Sequence, residues 1–400
     1  MSKNKNIAFV GMTHLGLNYL AASALKKNYV TGFDVDKKLI YDLKINQINH
    51  TEPSLTKILK KKKKLINFSS DMKKLNKFNL VFVSQDVQTD INNKADIKKL
   101  SILVNKTLKL INKKATLVIL SQLQPGFMRK IRFNKKKLYY QVETLIFGQA
   151  IKRALNPERL IIGCNNQNDP ISKDYLRYIK DFNCPIIKMK YESAELTKIA
   201  INIFLATSVT ATNVLAEICS KFNANWNEIS PALNLDRRIG KFAYLKPGLG
   251  ISGGNIERDI SVIKNLTNKN LIPNKFVKSI LENSNYMKSW VERIMKENKL
   301  LKNNIKHKIG ILGLSYKENT SSIKNSPTIF LLKKFKNHVI KIYDPKAKLV
   351  KKNLKCTQEK DIDSVIYGSD IIIIMTAWKN FKNLEKKINK INKKIVIIDP

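Results

Sequence analysis

Short β-branched and aliphatic runs alternate with longer stretches of mixed polarity over the first hundred residues. Asn6 to Val10 reads as a strand, Leu17 to Lys27 as a helix, and Val30 to Phe33 and Leu80 to Val83 as further strands. That alternation predicts parallel βαβ units. The run Lys60 to Lys64 precedes Leu65, Ile66 and Phe68, as the solvated end of a helix leading into a strand would. From Glu192 to Ser220 the period changes: Ala194, Thr197, Lys198, Ile201, Asn202 and Leu205 recur at spacings of three and four, which predicts one long helix. Beyond the polar stretch Lys296 to Lys306 the βα alternation returns. Strands are expected at Ile309 to Leu312, Val339 to Tyr343, Ile371 to Met375 and Lys394 to Ile398, with a helix at Thr328 to Phe335. The whole pattern predicts an α/β protein of two Rossmann-like domains with parallel sheets, residues 1–191 and 297–400, joined by a helical domain over 192–296.

The first predicted strand runs into Gly11-Met12-Thr13-His14-Leu15-Gly16, and Asp34 closes the second strand about 20 residues later, in the order of a dinucleotide fingerprint. Gly11 allows a tight turn and Gly16 a close helix–strand approach, while the turn through Thr13 and Leu15 opens a helix whose free N–H groups favour a pyrophosphate. Thr13 replaces the second glycine, so its side chain either crowds the phosphate or donates a hydroxyl to it. Asp34 can accept both ribose hydroxyls and would repel a 2′-phosphate, which favours NAD over NADP.

Charge alters this picture little. The formal net charge of +43, from 74 Lys and Arg against 31 Asp and Glu, would attract polyanions. The excess is mostly lysine spread along the chain among Asn and Ile, so a nucleic-acid partner is not expected, although anionic ligands are favoured. Cys164, Cys184, Cys219 and Cys356 stand far apart, without ligand or disulfide spacing, and predict neither a metal site nor a disulfide framework. A reduced cytoplasm fits. Residues Met1 to Met12 carry no apolar leader, and the longest uninterrupted apolar runs fall below the about 18 residues of a spanning helix, so no membrane association is expected.

Further segments resemble the UDP-glucose/GDP-mannose dehydrogenase family in order along nearly the whole chain. Thr51-Glu52-Pro53-Ser54-Leu55 resembles Y-E-P-G-L, and Ser121 to Gly126 resembles S-T-V-P-P-G with Gln122 at the threonine. Tyr140 to Glu143 and Leu155 to Arg159 resemble Y-N-P-E and L-N-P-D-R. Ser193-Ala194-Glu195-Leu196-Thr197-Lys198 with Asn202 resembles the S-A-E-x-x-K-x-x-x-N helix. Asp236 to Gly240, Pro247 to Gly250 and Arg258-Asp259 resemble the substrate loop. Gly313 to Lys317, Asn319-Thr320, Ser326-Pro327, Tyr343 to Pro345 and Thr376 to Trp378 complete the series.

The resemblance implies a homodimeric NAD-dependent enzyme that oxidises a sugar hydroxyl of a nucleotide sugar, a UDP-sugar foremost, through a cysteine-bound thiohemiacetal and thioester. It implies an oxyanion-stabilising role for Lys198, with Asn202 as a neutral donor, proton removal organised by Asp259 with water, and thioester hydrolysis assisted by Glu143. It places Gln122 with the cofactor residues and puts Arg238, Tyr244, Gly250 and Lys317 on the substrate, Arg238 from a neighbouring subunit. Bland readings stand beside these: Lys198 as a snorkelling surface lysine, Glu143 as turn surface, Asp259 as an acid at a helix N-terminus.

The departures are as specific as the matches. The family loop P-G-x-G-F-G-G-S-C-x-x-K-D reads here Pro247-Gly248-Leu249-Gly250-Ile251-Ser252-Gly253-Gly254-Asn255-Ile256-Glu257-Arg258-Asp259, with Asn255 at the cysteine. An amide is no nucleophile, so no thioester is expected there. The segment Phe127 to Leu138 is short, Ser321-Ser322 replaces an acidic pair, and Lys324 stands at a family arginine. An arginine that often follows Asp399-Pro400 in the family would add a phosphate contact. The expected enzyme thus stops at or bypasses the thioester stage; the alternative is a catalytically impaired relative that binds NAD and a nucleotide sugar.

Overall fold

The computed structural model describes residues 5–48, 52–87, 89–90, 95–301, 306–349, 354–382, 384–389 and 394–400. Met1 to Asn4, Thr51 and residues 302–305 of the polar stretch lie outside the described residues. The chain divides into two compact units, Met1–Ala200 and Ile201–Pro400.

The first unit is built on an eight-stranded sheet: β1 Asn6–Val10, β2 Tyr29–Phe33, β3 Ile66–Ser69, β4 Leu80–Val83, β5 Thr116–Ile119, β6 Leu138–Gln141, β7 Leu160–Cys164 and β8 Ile186–Lys190. The order is β3-β2-β1-β4-β5-β6-β7-β8. Every pairing is parallel except β6 with β7. Strands such as Leu80–Val83 are buried along their whole length, as central strands covered on both faces must be. The first helix spans His14–Leu25, starting earlier than the apolar period suggests because Thr13 is extended at its N-cap. It ends before Lys27, whose φ of 64° leaves the helical region.

The second unit carries a five-stranded parallel sheet: β9 Lys308–Leu312, β10 Val339–Tyr343, β11 Thr357–Gln358, β12 Ile371–Ile374 and β13 Val396–Ile398, in the order β11-β10-β9-β12-β13. Helices Trp226–Leu235, Asn255–Lys269, Lys275–Lys288 and Trp290–Glu297 precede it. Ile260, Val277 and Ile280 of those helices form a core with Ala206 and Ile251. The expected α/β architecture of two Rossmann-like sheets with an extensive helical region is the one observed.

The long helix spans Tyr191–Lys221. An 18-residue window of it reaches a mean hydropathy of 1.6, so by length and composition it could cross a membrane, contrary to the reading from uninterrupted runs. Polar residues punctuate the apolar ones and keep every run short while the mean stays high. The same helix buries Glu195, Lys198, Asn202, Thr212 and Asn213, groups that a helix surrounded by lipid would leave unsatisfied.

In the second unit the turn after β9 hangs on one carboxylate. Asp344 Oδ2 accepts the Leu314 and Ser315 amides at 2.8 and 2.9 Å and the Ser315 hydroxyl at 3.0 Å. Its Oδ1 accepts the Lys346 and Ala347 amides. Asp344→Ala leaves these donors, most of them buried, unpaired and is expected to cost about 2–4 kcal/mol in denaturant unfolding, with Asp344→Asn intermediate because it keeps one acceptor. A loss below about 0.5 kcal/mol, the size of an ordinary surface substitution, would contradict this role.

Candidate functional site

The turn after β1 has the build of an anion-binding turn. Gly11 has φ of 95° and its N–H donates to Phe33 O at 2.8 Å. A Cβ on Gly16 would lie 2.0 Å from Gly11 O and 2.8 Å from Ser84 Oγ, so only glycine lets the helix approach the strand this closely. Asp34 is buried; its Oδ2 accepts the Met12 amide at 2.8 Å and its Oδ1 the Asp36 amide at 3.0 Å. Each oxygen keeps a further lone pair for a ribose hydroxyl. These residues fit a dinucleotide.

Thr13 is engaged within the chain. Its Oγ1 accepts the Asp86 amide at 2.9 Å and donates to Ser84 O at 3.4 Å, tying the turn to the segment after β4. Leu15 N, an amide facing the pyrophosphate position, donates to Asp86 Oδ2 at 3.0 Å. Asp86 thus caps the helix that a dinucleotide turn leads into.

Two of the expected catalytic residues meet in the first unit. Lys198 Nζ lies 3.4 Å from Glu143 Oε2, with the side chains only 9 and 13% exposed, so neither is a surface group. Glu143 Oε1 also accepts the Leu145 amide. One turn before Lys198, the fully buried Glu195 accepts the Gly126 amide at 2.6 Å and the Met128 amide at 2.7 Å. Burial pushes the Glu195 carboxyl above the ordinary value, against the lowering effect of those amides. It fastens the loop that follows Gln122, which is half-buried.

The second unit brings together Asn202 and Asp259. Asn202 Nδ2 donates to Asp259 Oδ2, and Arg258 Nε donates to Asp259 Oδ1 at 3.3 Å. Asp259 is the fifth residue of helix Asn255–Lys269, beyond the first turn where the helix dipole acts, and it is 1% exposed. It is thus a buried carboxyl oriented by two donors rather than a helix-end acid. Asn255 opens that helix and is exposed. The loop before it is tightly wound: Gly250 has φ of 78° and a Cβ there would meet Ser284 O at 2.5 Å, while one on Gly253 would meet the Tyr316 ring at 2.9 Å. Gly253 N donates to Lys324 O at 3.1 Å, and Asn325 Nδ2 donates to Gly253 O at 2.8 Å.

Among the expected substrate residues, Lys317 sits half-buried with Nζ 5.7 Å from the centre of the Tyr316 ring. Tyr244 is partly exposed, and its carbonyl accepts the Thr212 hydroxyl at 2.9 Å. Arg238 is exposed, its guanidinium on Asp236 at 2.6 and 3.0 Å. Sequence reasoning missed Asp86, for which no signal exists, and gave Glu195 and Glu52 no role although both lie inside quoted motifs.

Comparisons with known proteins cover almost the entire chain. Residues 5–178, 192–286 and 310–400 match, in turn, the NAD binding, central and UDP binding domains of the UDP-glucose/GDP-mannose dehydrogenase family. The chain is 31% identical to the UDP-glucose 6-dehydrogenase of Rickettsia typhi over 98% of its own length and 94% of the relative's. Among solved structures, a UDP-glucose dehydrogenase from Pyrobaculum islandicum superposes with a TM-score of 0.88 at 21% identity, covering 100% of this chain and 94% of that one. A UDP-D-ManNAc dehydrogenase from Pyrococcus horikoshii gives a TM-score of 0.83 at 20% identity, covering 98 and 94%.

The Asp86 contact has a measurable consequence. Asp86→Asn removes negative charge from the helix N-terminus and is expected to tighten NAD binding by about 1 kcal/mol, roughly fivefold, in calorimetry. Unchanged or weaker binding would show that Asp86 does not compete with the pyrophosphate.

Proposed function

The chain belongs to the UDP-glucose/GDP-mannose dehydrogenase family, and from that premise we propose that it oxidises a sugar hydroxyl of a UDP-sugar with NAD without forming a covalent sugar–enzyme intermediate. The activity of the family in its coarse form, NAD-dependent oxidation of a nucleotide-sugar hydroxyl, follows from membership. Residues 1–191 are assigned to the cofactor, 192–296 to dimerisation and catalysis, and 297–400 to the nucleotide sugar, with Lys317 its contact there and Tyr244 and Gly250 in the substrate loop.

The observation that carries this reading is the survival of buried, paired Lys198–Glu143 and Asn202–Asp259 in a chain with Asn255 at the family's cysteine position. Bound NAD supplies the hydride acceptor. As the alcohol loses its hydride, its hydroxyl proton must leave as well. Asp259, held in place by Asn202 and Arg258, organises the water that takes it. Lys198 and Asn202 stabilise the negative charge that develops on the oxygen. These groups suffice for the first oxidation, and general acid–base assistance is worth about 10²–10⁴-fold. An amide at Asn255 cannot add to the aldehyde. A second oxidation then requires water to add first, and Glu143 is the carboxylate available to assist it.

Purified protein supplied with NAD and a panel of UDP-sugars is expected to yield about one NADH per sugar, or a slow second equivalent, with no sugar adduct by intact-protein mass spectrometry. A trapped sugar thioester on any cysteine would overturn the mechanism. No NADH from any sugar would favour the catalytically impaired relative.

We also propose a homodimer built on the helical region. The supporting observation is apolar surface left uncovered: Phe204 is 77% exposed, Phe222 79%, Leu235 83% and Phe242 84%. Large apolar side chains left this exposed in one helical region are what an interaction surface would cover. Arg238 lies among these residues in sequence and is exposed beside Ile239, where it can reach a neighbouring subunit's substrate. Light scattering at micromolar concentration is expected to report a dimer, and Arg238→Ala to weaken nucleotide-sugar binding by about tenfold. A monomer whose substrate affinity ignores Arg238→Ala would refute this.

A further inference from the structure

Glu52 lies in the first unit, is 7% exposed and accepts three hydrogen bonds. His14 Nε2 stands 2.9 Å from Oε2, Gly148 N donates to Oε2 at 3.0 Å, and Ala150 N donates to Oε1 at 2.8 Å. Burial alone would raise the Glu52 carboxyl, but the His14 bond and the two amides outweigh it and hold it below the ordinary value. Glu52 is therefore a carboxylate at neutral pH, an acceptor only, and His14 must carry its proton on Nε2.

The two sides of this contact belong to different parts of the site. His14 is the first residue of the helix that follows the dinucleotide turn, and its carbonyl accepts Asn18 Nδ2 at 2.7 Å. Gly148 and Ala150 end the segment that begins at Glu143, the partner of Lys198. That segment touches the turn a second time, where the Phe147 ring stacks on His14 with centroids 4.2 Å apart and planes 26° apart. Arg153 Nε fixes its start by donating to Thr144 O at 2.8 Å. Glu52 is the one charged group that joins the cofactor turn to the Glu143 segment in these bonds.

We infer that Glu52 is a positioning residue that transmits cofactor binding from the dinucleotide turn to the segment carrying Glu143. The inference rests on the proposed role of Glu143 and on the NAD site. When a dinucleotide orders the turn, the His14 ring is fixed. Through Glu52 and Phe147 it then holds Gly148 and Ala150, and with them Glu143 against Lys198. Glutamine fits the space but has one acceptor oxygen, so at least one of the three donors would face its NH2 group.

Hydrogen–deuterium exchange of the peptide spanning residues 143–150, with and without saturating NAD, tests this in the wild type, Glu52→Gln and His14→Phe. His14→Phe keeps the ring stack and removes the bond, so it decides the matter if Glu52→Gln does not fold. NAD is expected to slow exchange at Gly148 and Ala150 in the wild type, and this slowing should fall by at least about threefold in both variants. Calorimetry should show NAD binding about tenfold weaker in Glu52→Gln. A variant that is merely less stable would still show the full NAD-induced slowing, which would overturn the inference. Slowing absent from a wild type that binds NAD would also overturn it, whereas a wild type that binds no NAD would remove the functional reading instead.

Discussion

Backbone N–H groups that a glycine turn leaves without partners have to be paired, and in this protein carboxylates pair them. A buried amide without an acceptor costs about 1–3 kcal/mol, so a turn that exposes several amides to one point needs an anion or an equivalent set of oxygens there. After β1 the solution is Asp34 on Met12 N; after β9 it is Asp344 on Leu314 N and Ser315 N. The two turns share further details. Gly11 N and Gly313 N each donate 2.8 Å to the last carbonyl of the neighbouring strand, Phe33 O and Tyr343 O. Both glycines have positive φ, 95° and 106°. The same physical problem has received the same answer in each sheet.

That answer places chemistry at the carboxyl ends of parallel strands, where ligands bind in open α/β sheets. A few of the acidic residues are found inside, each with a partner. Glu52, Glu195, Glu257 and Asp259 are all buried, and each has a donor: His14 and two amides, the 126–128 loop, Lys288 and Asn202 respectively. Most lysines lie on the surface and set the field. Lys198 and Lys288, which are buried, are paired with Glu143 and Glu257, as a buried cation must be.

Periodicity made the fold legible because strands buried on both faces read as unbroken aliphatic runs and the central helix keeps its spacing of three and four. Helix ends were less legible: the start at His14 depends on the extended backbone of Thr13, which leaves no trace in hydrophobic pattern. The apolar character of Tyr191–Lys221 was hidden for the opposite reason, since its polar residues break each run without lowering the mean. Ordered motifs located Lys198, Asn202, Glu143 and Asp259, and the structure pairs them within their own units. The tasks of Asp86 and Glu52 were illegible. Each acts on amides more than seventy or ninety positions away in sequence, and no spacing rule reports such a contact.

The proposed mechanism requires Lys198 and Asn202 to stabilise charge while Asn255 supplies no nucleophile. Asn255→Cys is the most direct test, because the helix start and the wound loop before it are already in place. With NAD and an accepted UDP-sugar, the variant is expected to gain a sugar-mass adduct in quenched intact-protein mass spectrometry and to release a second NADH faster than the wild type. A variant whose new thiol is alkylated by iodoacetamide and which still oxidises the alcohol, yet forms no adduct and gains no second NADH, would contradict it.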